Sequence, residues 1–216
     1  MSAARNADAW NAILVQLRVK PFTSAKWAAL FAQEIGPSTF SAGDSEIDAF
    51  MGQILHESAY LEKLEEGLNY RTPGRLMAVW PTRFKSLADE VPYLSNPEAL
   101  ANKVYSGRMG NINVGDGWRY RGSGLIQVTG ADNFRELQRL TGVPVYDQPE
   151  LLRRPTASAL KVAIAWWEGA IPDQYLGDVR KITKRVNGGL NGLNDRIALT
   201  DQASQALSSG SSIAPG

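Results

Sequence analysis

Four glutamates lie close together in this 216-residue chain, beside its single histidine. Glu57 directly follows His56, and Glu62, Glu65 and Glu66 come within the next nine residues. Paired carboxyl groups can cleave a glycosidic bond, because one protonates the leaving oxygen while the other, ionised, activates water or attacks the sugar. The same cluster could also be a solvated helix face, which is the more common origin of grouped charges on helices.

A metal centre is disfavoured at this cluster. The zinc-protease pattern needs a second histidine four residues after the first, but that position is Tyr60, and the chain has no cysteine either. A carboxylate-only site for a hard cation stays open, and we expect no metal and no cofactor. A lone histidine such as His56 is more typical of a structural hydrogen-bonding group than of a proton shuttle.

Helix geometry limits how two of the glutamates could cooperate. On one unbroken helix, Glu57 and Glu66 would differ by roughly 900° and about 13.5 Å along the axis, on opposite faces. They could act together only if the helix ends and the chain turns back, and Gly67 indicates such an ending. We therefore expect Glu57 on a helix and Glu66 at or beyond its end. Leu55 and Tyr60 would partly desolvate Glu57, which suits a proton donor.

Two glycine-rich stretches carry side chains suited to sugars. Residues 111–134 hold five glycines, which let backbone approach a ligand closely. They also hold the aromatic rings of Trp118 and Tyr120, which offer flat faces to sugar rings. Hydrogen bonds to sugar hydroxyl and acetamido groups could come from Arg119, Arg121, Gln127 and Asn133, and from Asn187, Asn191 and Arg196 in the second stretch, 182–196.

Helical periodicity dominates the elements that must position these residues. Apolar spacing and capping signals predict helices at 10–17, 26–35, 46–57, 97–105, 132–141, 155–168 and 195–207. The alternation in GLIQVT, 124–129, predicts one short strand, and residues 106–125 and 187–194 are expected to be irregular. The pattern is typical of a mainly α protein with long functional loops.

Composition indicates one soluble globular domain, with 44% hydrophobic and 21% charged residues. We expect a single catalytic domain over 1–207, with an N-terminal helical part at 1–40, a core at 41–207 and a flexible tail at 208–216. A net charge of +1 argues against nucleic acid as the main partner. The longest N-terminal apolar run, AILV, is too short for a signal peptide, so we expect neither a signal peptide nor stable membrane insertion. We expect a monomer.

The chain resembles the family 19 glycoside hydrolases, which are chitinase-like, and within them the short endolysins of bacteriophages. Four segments carry the resemblance, in the family order: AFMGQILHESAYLEKLEEGLNY, YSGRMGN, GDGWRYRGSGLIQVTGADNF, and ITKRVNGG with GLNDR. The resemblance implies a lysozyme-like, two-lobed α-helical domain with a minor β element and long loops lining a cleft. Two departures are Ser123, where the family usually has arginine, and Gly67, where the phage members usually have asparagine.

The resemblance also implies roles for individual residues. Glu57 matches the general acid, Glu66 the general base, and Thr129 the hydroxyl that helps to hold the attacking water. Tyr120, Gln127 and Asn187 match substrate-binding positions, and Arg196 matches a cation near the catalytic carboxylates. We add His56, Tyr70 and Trp118 as candidate substrate-binding residues.

These roles predict an endolysin that hydrolyses β-1,4 bonds between the amino sugars of peptidoglycan glycan strands, with inversion, to lyse the host cell. We expect it in the host cytoplasm until a holin releases it to the periplasm and cell wall. Three alternatives stay open: a chitinase acting on chitin, a non-catalytic module that binds cell-wall sugars, and a transglycosylase, which needs the acid but no water-activating base.

Overall fold

The computed structural model describes residues 4–210, and they form a mainly α-helical protein, as the sequence predicted. The α-helices of the described residues are α1 (Ala7–Gln16), α2 (Pro21–Glu34), α3 (Asp44–Glu57), α4 (Arg75–Val79), α5 (Leu87–Glu90), α6 (Pro97–Tyr105), α7 (Asp116–Arg119), α8 (Ala131–Thr141), α9 (Ala157–Ala170), α10 (Val179–Asn187) and α11 (Leu193–Gly210). Short 3-10 helices cover Val91–Tyr93, Pro149–Leu152 and Asp173–Tyr175. The tail expected at 208–216 begins as helix, because α11 reaches Gly210; residues 211–216 lie outside the described residues.

The chain forms two compact units. Unit 1 takes the described residues up to Leu64, the short segment Gly124–Ile126, and the residues from Leu151 onward. Unit 2 comprises Glu65–Ser123 and Gln127–Glu150. The N-terminal part at 1–40, predicted to be helical, supplies α1 and α2 to unit 1, which also contains α3 and α9 to α11.

Unit 1 is built around tightly packed helices with an aromatic core. The fully buried Trp10 of α1 lies 5.0 Å from Phe31 of α2, measured between ring centroids. Helix α3 packs against α11 at Gly52, where a Cβ atom would lie 2.1 Å from Thr200 Oγ1 and 3.1 Å from the Arg196 carbonyl oxygen. A side chain at Gly52 would therefore push apart the two helices that carry Glu57 and Arg196.

Unit 2 has a separate apolar core, formed where α4 and α6 meet the loops around them. The buried members of this cluster are Leu68, Leu76, Phe84, Leu100, Ala101 and Val104. Helix α7 lies against α6 so closely that a Cβ atom on Gly117 would be 2.6 Å from the Ala101 carbonyl oxygen. This contact fixes the start of the glycine-rich block on the core of unit 2.

The expected strand at 124–129 is wrong. Residues 124–127 form a turn between Ser123 and Val128. These two residues exchange backbone hydrogen bonds of 3.0 and 2.8 Å and pair as an isolated bridge. Gly124 and Gln127 have φ values of +82° and +53°, and such left-handed residues cannot continue a strand. Helix α10 was also missed, because it has few apolar residues to show a helical period, and it extends to Asn187, where an irregular stretch was expected to begin.

Helix α3 ends at Glu57, as predicted for the helix at 46–57, so the chain leaves the helix well before Gly67. The Ser58 side chain causes part of this, because its hydroxyl donates to the Ile54 carbonyl at 2.6 Å and accepts from the Leu61 N–H at 2.9 Å. Residues 59–61 then all have positive φ, between 48° and 65°. The prediction that Glu57 lies on a helix and Glu66 beyond its end is confirmed.

Within residues 4–210, none of the helices has the length and apolar character needed to cross a membrane.

Candidate active site

Glu57, the last residue of α3, is held by a buried arginine of α11. Arg196 Nη2 donates to Glu57 Oε1 at 2.5 Å, and the two side chains are 1% and 17% exposed. The arginine thus fixes the Oε1 oxygen of the Glu57 carboxyl. The resemblance implied a cation near the carboxylates, and the structure places Arg196 against Glu57.

The Arg196 guanidinium is itself fixed on its other sides. Its Nη1 donates to Gln53 Oε1 at 2.6 Å, and its Nε donates to the Asn191 carbonyl at 3.1 Å. Gln53 Nε2 in turn donates to Thr183 Oγ1 of α10 at 3.4 Å. Three helices of unit 1 thus determine the position of Glu57 through one buried arginine.

His56 forms a second polar contact between α3 and α11. Its Nδ1 lies 2.6 Å from Asp195 Oδ2, and the two side chains are 27% and 49% exposed. Its ring lies against Gly192, where a Cβ atom would be 2.1 Å from His56 Cε1. The imidazole is therefore oriented by a carboxylate and a glycine, in keeping with a structural hydrogen-bonding role.

Glu66 lies in unit 2, in an extended segment beside the glycine-rich block. Its backbone N–H donates to the Gly122 carbonyl at 2.9 Å. The Tyr105 hydroxyl donates to Glu66 Oε1 at 2.6 Å, and the Gly122 N–H donates to Glu66 Oε2 at 3.2 Å. Both oxygens of this carboxylate accept hydrogen bonds, and these two contacts fix the orientation of the Glu66 side chain.

Tyr105, at the end of α6, keeps its proton as a donor to Glu66. Burial raises the pKa of Tyr105 well above its usual value, and the charge and hydrogen bond of Glu66 raise it further. A tyrosine with a raised pKa stays a neutral O–H donor through the ordinary pH range. The sequence reasoning missed Tyr105, because 39 residues separate it from Glu66 and no spacing rule joins them.

Gln127 and Thr129 lie on the turn that follows Gly122, within unit 2. A Cβ atom on Gly122 would lie 2.8 Å from Gln127 Oε1 and 3.1 Å from Glu66 Oε2, so only glycine leaves room for both side chains. The half-buried Thr129 donates its hydroxyl to the Gln127 carbonyl at 3.1 Å. The structure thus brings Gln127 to the same glycine as Glu66.

The other two glutamates of the cluster, Glu62 and Glu65, are exposed. Glu62 accepts from Lys20 Nζ at 3.1 Å and from the Thr23 hydroxyl, near the start of α2. Glu65 pairs with Nε and Nη2 of the buried Arg121 while its own side chain stays exposed.

Arg121 also decides the environment of Trp118. Its guanidinium carbon lies 3.5 Å from the centroid of the Trp118 ring, so a cation already stacks on one face of the half-buried indole. Any sugar stacking on Trp118 would therefore have to use its other face.

The expectation that Tyr120 presents a ring face to sugar is wrong. Tyr120 is 3% exposed, and its ring stacks on Tyr146 at 5.2 Å and packs against Phe134 at 5.3 Å. Aromatic stacking within unit 2 thus places this ring in the core. Tyr70, by contrast, is half-buried and contacts Trp80 edge-on at 5.4 Å.

Asn187 is the last residue of α10 and is exposed in unit 1, followed by Gly188 in the left-handed conformation. Among the described residues, no group of three or more histidine, aspartate or glutamate side chains is arranged to hold a metal ion.

Comparison with known proteins identifies the family. Over 152 residues the chain is 36% identical to a glycosyl hydrolase family 19 domain-containing protein from Haemophilus influenzae, covering 69% of this chain and 74% of that protein. The chain belongs to glycoside hydrolase family 19. No protein-family model matches this family 19 chain.

Solved structures with the same fold include two chitinases. Chitinase C from Streptomyces griseus matches with a TM-score of 0.56 and 16% identity, over 96% of this chain and 94% of that one. The class IV chitinase of family 19 from Zea mays matches with a TM-score of 0.51 and 15% identity, over 89% and 81%. The family 19 chain is thus a glycoside hydrolase with the α-rich, lysozyme-like fold of its family.

One departure from the usual family 19 pattern has a structural account. Ser123, where arginine is usual, is fully buried and donates its hydroxyl to the Arg121 carbonyl at 2.8 Å. Ser123 thus stabilises the backbone of the glycine-rich block through this hydrogen bond, while the nearby cation, Arg121, pairs with Glu65.

Proposed function

We propose that this glycoside hydrolase is a peptidoglycan-degrading endolysin that cleaves β-1,4 bonds between amino sugars by single-displacement inversion. One observation carries the proposal: both glutamates expected to be catalytic have oriented carboxyl groups. Glu57 is bound by Arg196, and Glu66 by the Tyr105 hydroxyl and the Gly122 N–H. Reacting groups held in a fixed orientation avoid an entropic barrier, so such orientation is expected of catalytic residues.

In the proposed mechanism, Glu57 protonates the bridging oxygen of the scissile bond. Its Oε2 is suited to carry the proton, because Oε1 is bound to Arg196. Glu66 removes a proton from a water molecule on the opposite face of the sugar, and Thr129 helps to hold that water. The water attacks the anomeric carbon as the bond to the leaving oxygen breaks, which inverts the configuration.

The proposed substrate contacts are His56, Tyr70, Trp118, Gln127 and Asn187. Gln127 has the most direct support, because its amide lies at the same glycine as the Glu66 carboxylate. Arg196 is fully buried and bonded on three sides, so we assign it the positioning of Glu57 in preference to substrate contact.

The endolysin assignment is supported by the four segments that resemble the phage enzymes, in their order along the chain. On this proposal the partner is the peptidoglycan glycan strand, and the protein acts as a monomer without nucleic acid or stable membrane insertion. It stays in the host cytoplasm until a holin opens the way to the periplasm and cell wall.

Hydrolysis of chitin is the second candidate, favoured by the fold likeness to chitinases from Streptomyces griseus and Zea mays. Chitin and peptidoglycan share the β-1,4-linked amino-sugar backbone, so the same two carboxyl groups could serve either substrate. A clearing assay on outer-membrane-permeabilised Gram-negative cells, run beside colloidal chitin at equal enzyme concentration, separates the two. We expect faster clearing of cells; release of sugar from chitin alone would reject the endolysin proposal.

Mass spectrometry of the released fragments tests the two remaining alternatives. A hydrolase leaves reducing-end sugars, whereas a transglycosylase leaves anhydro-sugar ends. A sugar-binding module would retain wall fragments without releasing any product. We expect reducing ends only.

A further inference from the structure

Helix α10 of unit 1 presents a strongly basic face that the proposed mechanism does not use. Its nine residues contain four cationic side chains, Arg180, Lys181, Lys184 and Arg185, and no acidic one. All four are exposed. Lys181 lies three and four residues from Lys184 and Arg185, so these three share one face of the helix.

We propose that this basic face, defined as Arg180, Lys181, Lys184 and Arg185, binds the carboxylates of the peptide stems of peptidoglycan. The inference rests on the proposed function and goes beyond it, because it makes the anionic peptide a recognised part of the substrate. Chitin carries no such carboxylates. The basic face would therefore favour peptidoglycan over a neutral glycan with the same backbone.

The surface at the basic face is concave. One open depression, of about 370 Å³, is lined by Tyr175, Lys181, Lys184 and Arg185. A second, of about 360 Å³, is lined by Asp178, Arg180, Lys181, Lys184, Gly189 and Leu190. Lys181 and Lys184 line both depressions, so an anionic group in either one would meet two ammonium groups.

The positive charge of the basic face is only partly neutralised within the chain. Lys181 pairs with Asp178 at 3.2 Å, but both side chains are well exposed, so the pair is weak. Arg185 Nε donates to the Ala170 carbonyl at 2.9 Å. A carbonyl group has no net charge, so this bond does not neutralise the arginine. Across residues 4–210, Arg180 and Lys184 have no ion-pair partner.

The basic face is connected to the candidate acid within unit 1. The buried side of α10 carries Ile182 and Thr183, and Thr183 accepts from Gln53, which in turn holds Arg196 against Glu57. Asn187, a proposed substrate contact, ends the same helix. A glycan bound at Asn187 would therefore lie at the end of α10, three residues from Lys184 of the basic face. The net charge of the whole chain is only +1, so this positive field is local.

The test compares two full-length variants that each remove two positive charges. Lys181→Gln/Lys184→Gln removes the pair that lines both depressions. The matched control is Arg18→Gln/Lys26→Gln, which removes two exposed cations near α2 in the same unit. Rates are measured at low ionic strength, where charge effects are largest. The substrates are Gram-negative sacculi, the same sacculi with amidated carboxyl groups, and peptide-free glycan strands.

We expect Lys181→Gln/Lys184→Gln to lower kcat/KM on intact sacculi roughly two- to thirty-fold, as the loss of two exposed ion pairs implies. On amidated sacculi and peptide-free strands its rate should equal that of the control. An equal loss on all three substrates, or no difference from the control on intact sacculi, would overturn the proposal.

Binding separates this proposal from the proposed function. If the wild-type chain hydrolyses none of the substrates, the endolysin assignment fails, yet cosedimentation with intact and amidated sacculi still measures recognition of carboxylates. Weaker cosedimentation of Lys181→Gln/Lys184→Gln, restricted to intact sacculi, would support the basic face. Stronger binding of the wild type to anionic lipid vesicles or to DNA than to sacculi would assign α10 to another polyanion and reject it.

Discussion

Arg196 and Glu57 form an ion pair in which the arginine is almost fully buried and the glutamate is partly exposed. Their side chains are 1% and 17% exposed, and Nη2 lies 2.5 Å from Oε1. Moving a guanidinium out of water is costly, so a buried arginine must be stabilised by an opposite charge and by hydrogen bonds. Gln53 and the Asn191 carbonyl supply the remaining hydrogen bonds. The pair therefore links the folding of unit 1 to the placement of the proposed acid.

Arg196→Gln should destabilise the protein by about 3 kcal/mol, because it leaves the Glu57 carboxyl partly buried without its cation. Urea denaturation followed by circular dichroism measures this loss. Adding Glu57→Gln to Arg196→Gln should restore part of the stability, since it removes the unpaired charge. Purely additive losses in the double variant would show that the two side chains are not coupled.

Tyr105→Phe should lower kcat about ten-fold with little change in KM, because Glu66 loses the donor to Oε1 that orients it. The fold should survive, since the change removes one hydroxyl from a half-buried ring. Steady-state kinetics on soluble glycan fragments separates kcat from KM. Tyr93→Phe, at another half-buried tyrosine of unit 2, is the matched control, and a loss of the same size there would mean that the effect is not specific to the Glu66 contact.

Gly192→Ala should destabilise unit 1 and displace His56, because the new methyl group would lie 2.1 Å from the imidazole. Gly188→Ala is a close control. The two glycines have φ values of +71° and +73°, but nothing lies within 4 Å of a Cβ on Gly188. Both variants share the backbone strain, so the extra loss of stability in Gly192→Ala measures the clash. Equal melting temperatures for the two variants would contradict the close contact.

Stability should fall as pH rises through neutrality, because of a carboxyl pair in unit 1. Burial raises the pKa of Glu168 on α9 to about 7, with further contributions from Glu46 and Asp173. A carboxyl whose folded pKa exceeds its unfolded value of 4.5 stabilises the fold below that value and loses this contribution as pH passes 7. Glu46 is fully buried and accepts from Trp167 Nε1 at 2.8 Å, so it cannot move away.

Urea midpoints between pH 5 and pH 8 check this pH effect. The wild type should lose more stability over that range than Glu168→Gln, whose amide does not titrate. The Glu168 side chain is only partly buried, so solvent screening will keep the difference small. Identical slopes for the two proteins would reject the assignment.

Helices with a clear apolar period were predictable from the sequence, whereas glycine-rich elements were not. Helix α3 was predicted at 46–57 and is found at Asp44–Glu57, where the Ser58 side chain bonds back to the last turn. The alternation in GLIQVT resembles a strand, yet left-handed Gly124 and Gln127 turn it back on itself. Helix α10 has few apolar residues and was not predicted.

Only those parts of the site that depend on sequence motifs or on short-range helix geometry were predictable. The break between Glu57 and Glu66 followed from helical geometry, and the arginine against Glu57 followed from the family resemblance. Contacts across long stretches of sequence could not be predicted: Glu66 with Tyr105, and Glu65 with Arg121. The burial of Tyr120 was missed for the same reason, because its stacking partner Tyr146 is 26 residues away.

The most direct test of the account is the anomeric configuration of the first product, read by proton NMR during hydrolysis of a β-linked amino-sugar oligomer, with Glu57→Gln and Glu66→Gln in parallel. We predict that the α-anomer appears first and that each variant loses at least about 10²-fold in kcat while remaining folded. Initial formation of the β-anomer, or near wild-type turnover by either variant, would contradict the assignment of Glu57 as acid and Glu66 as base.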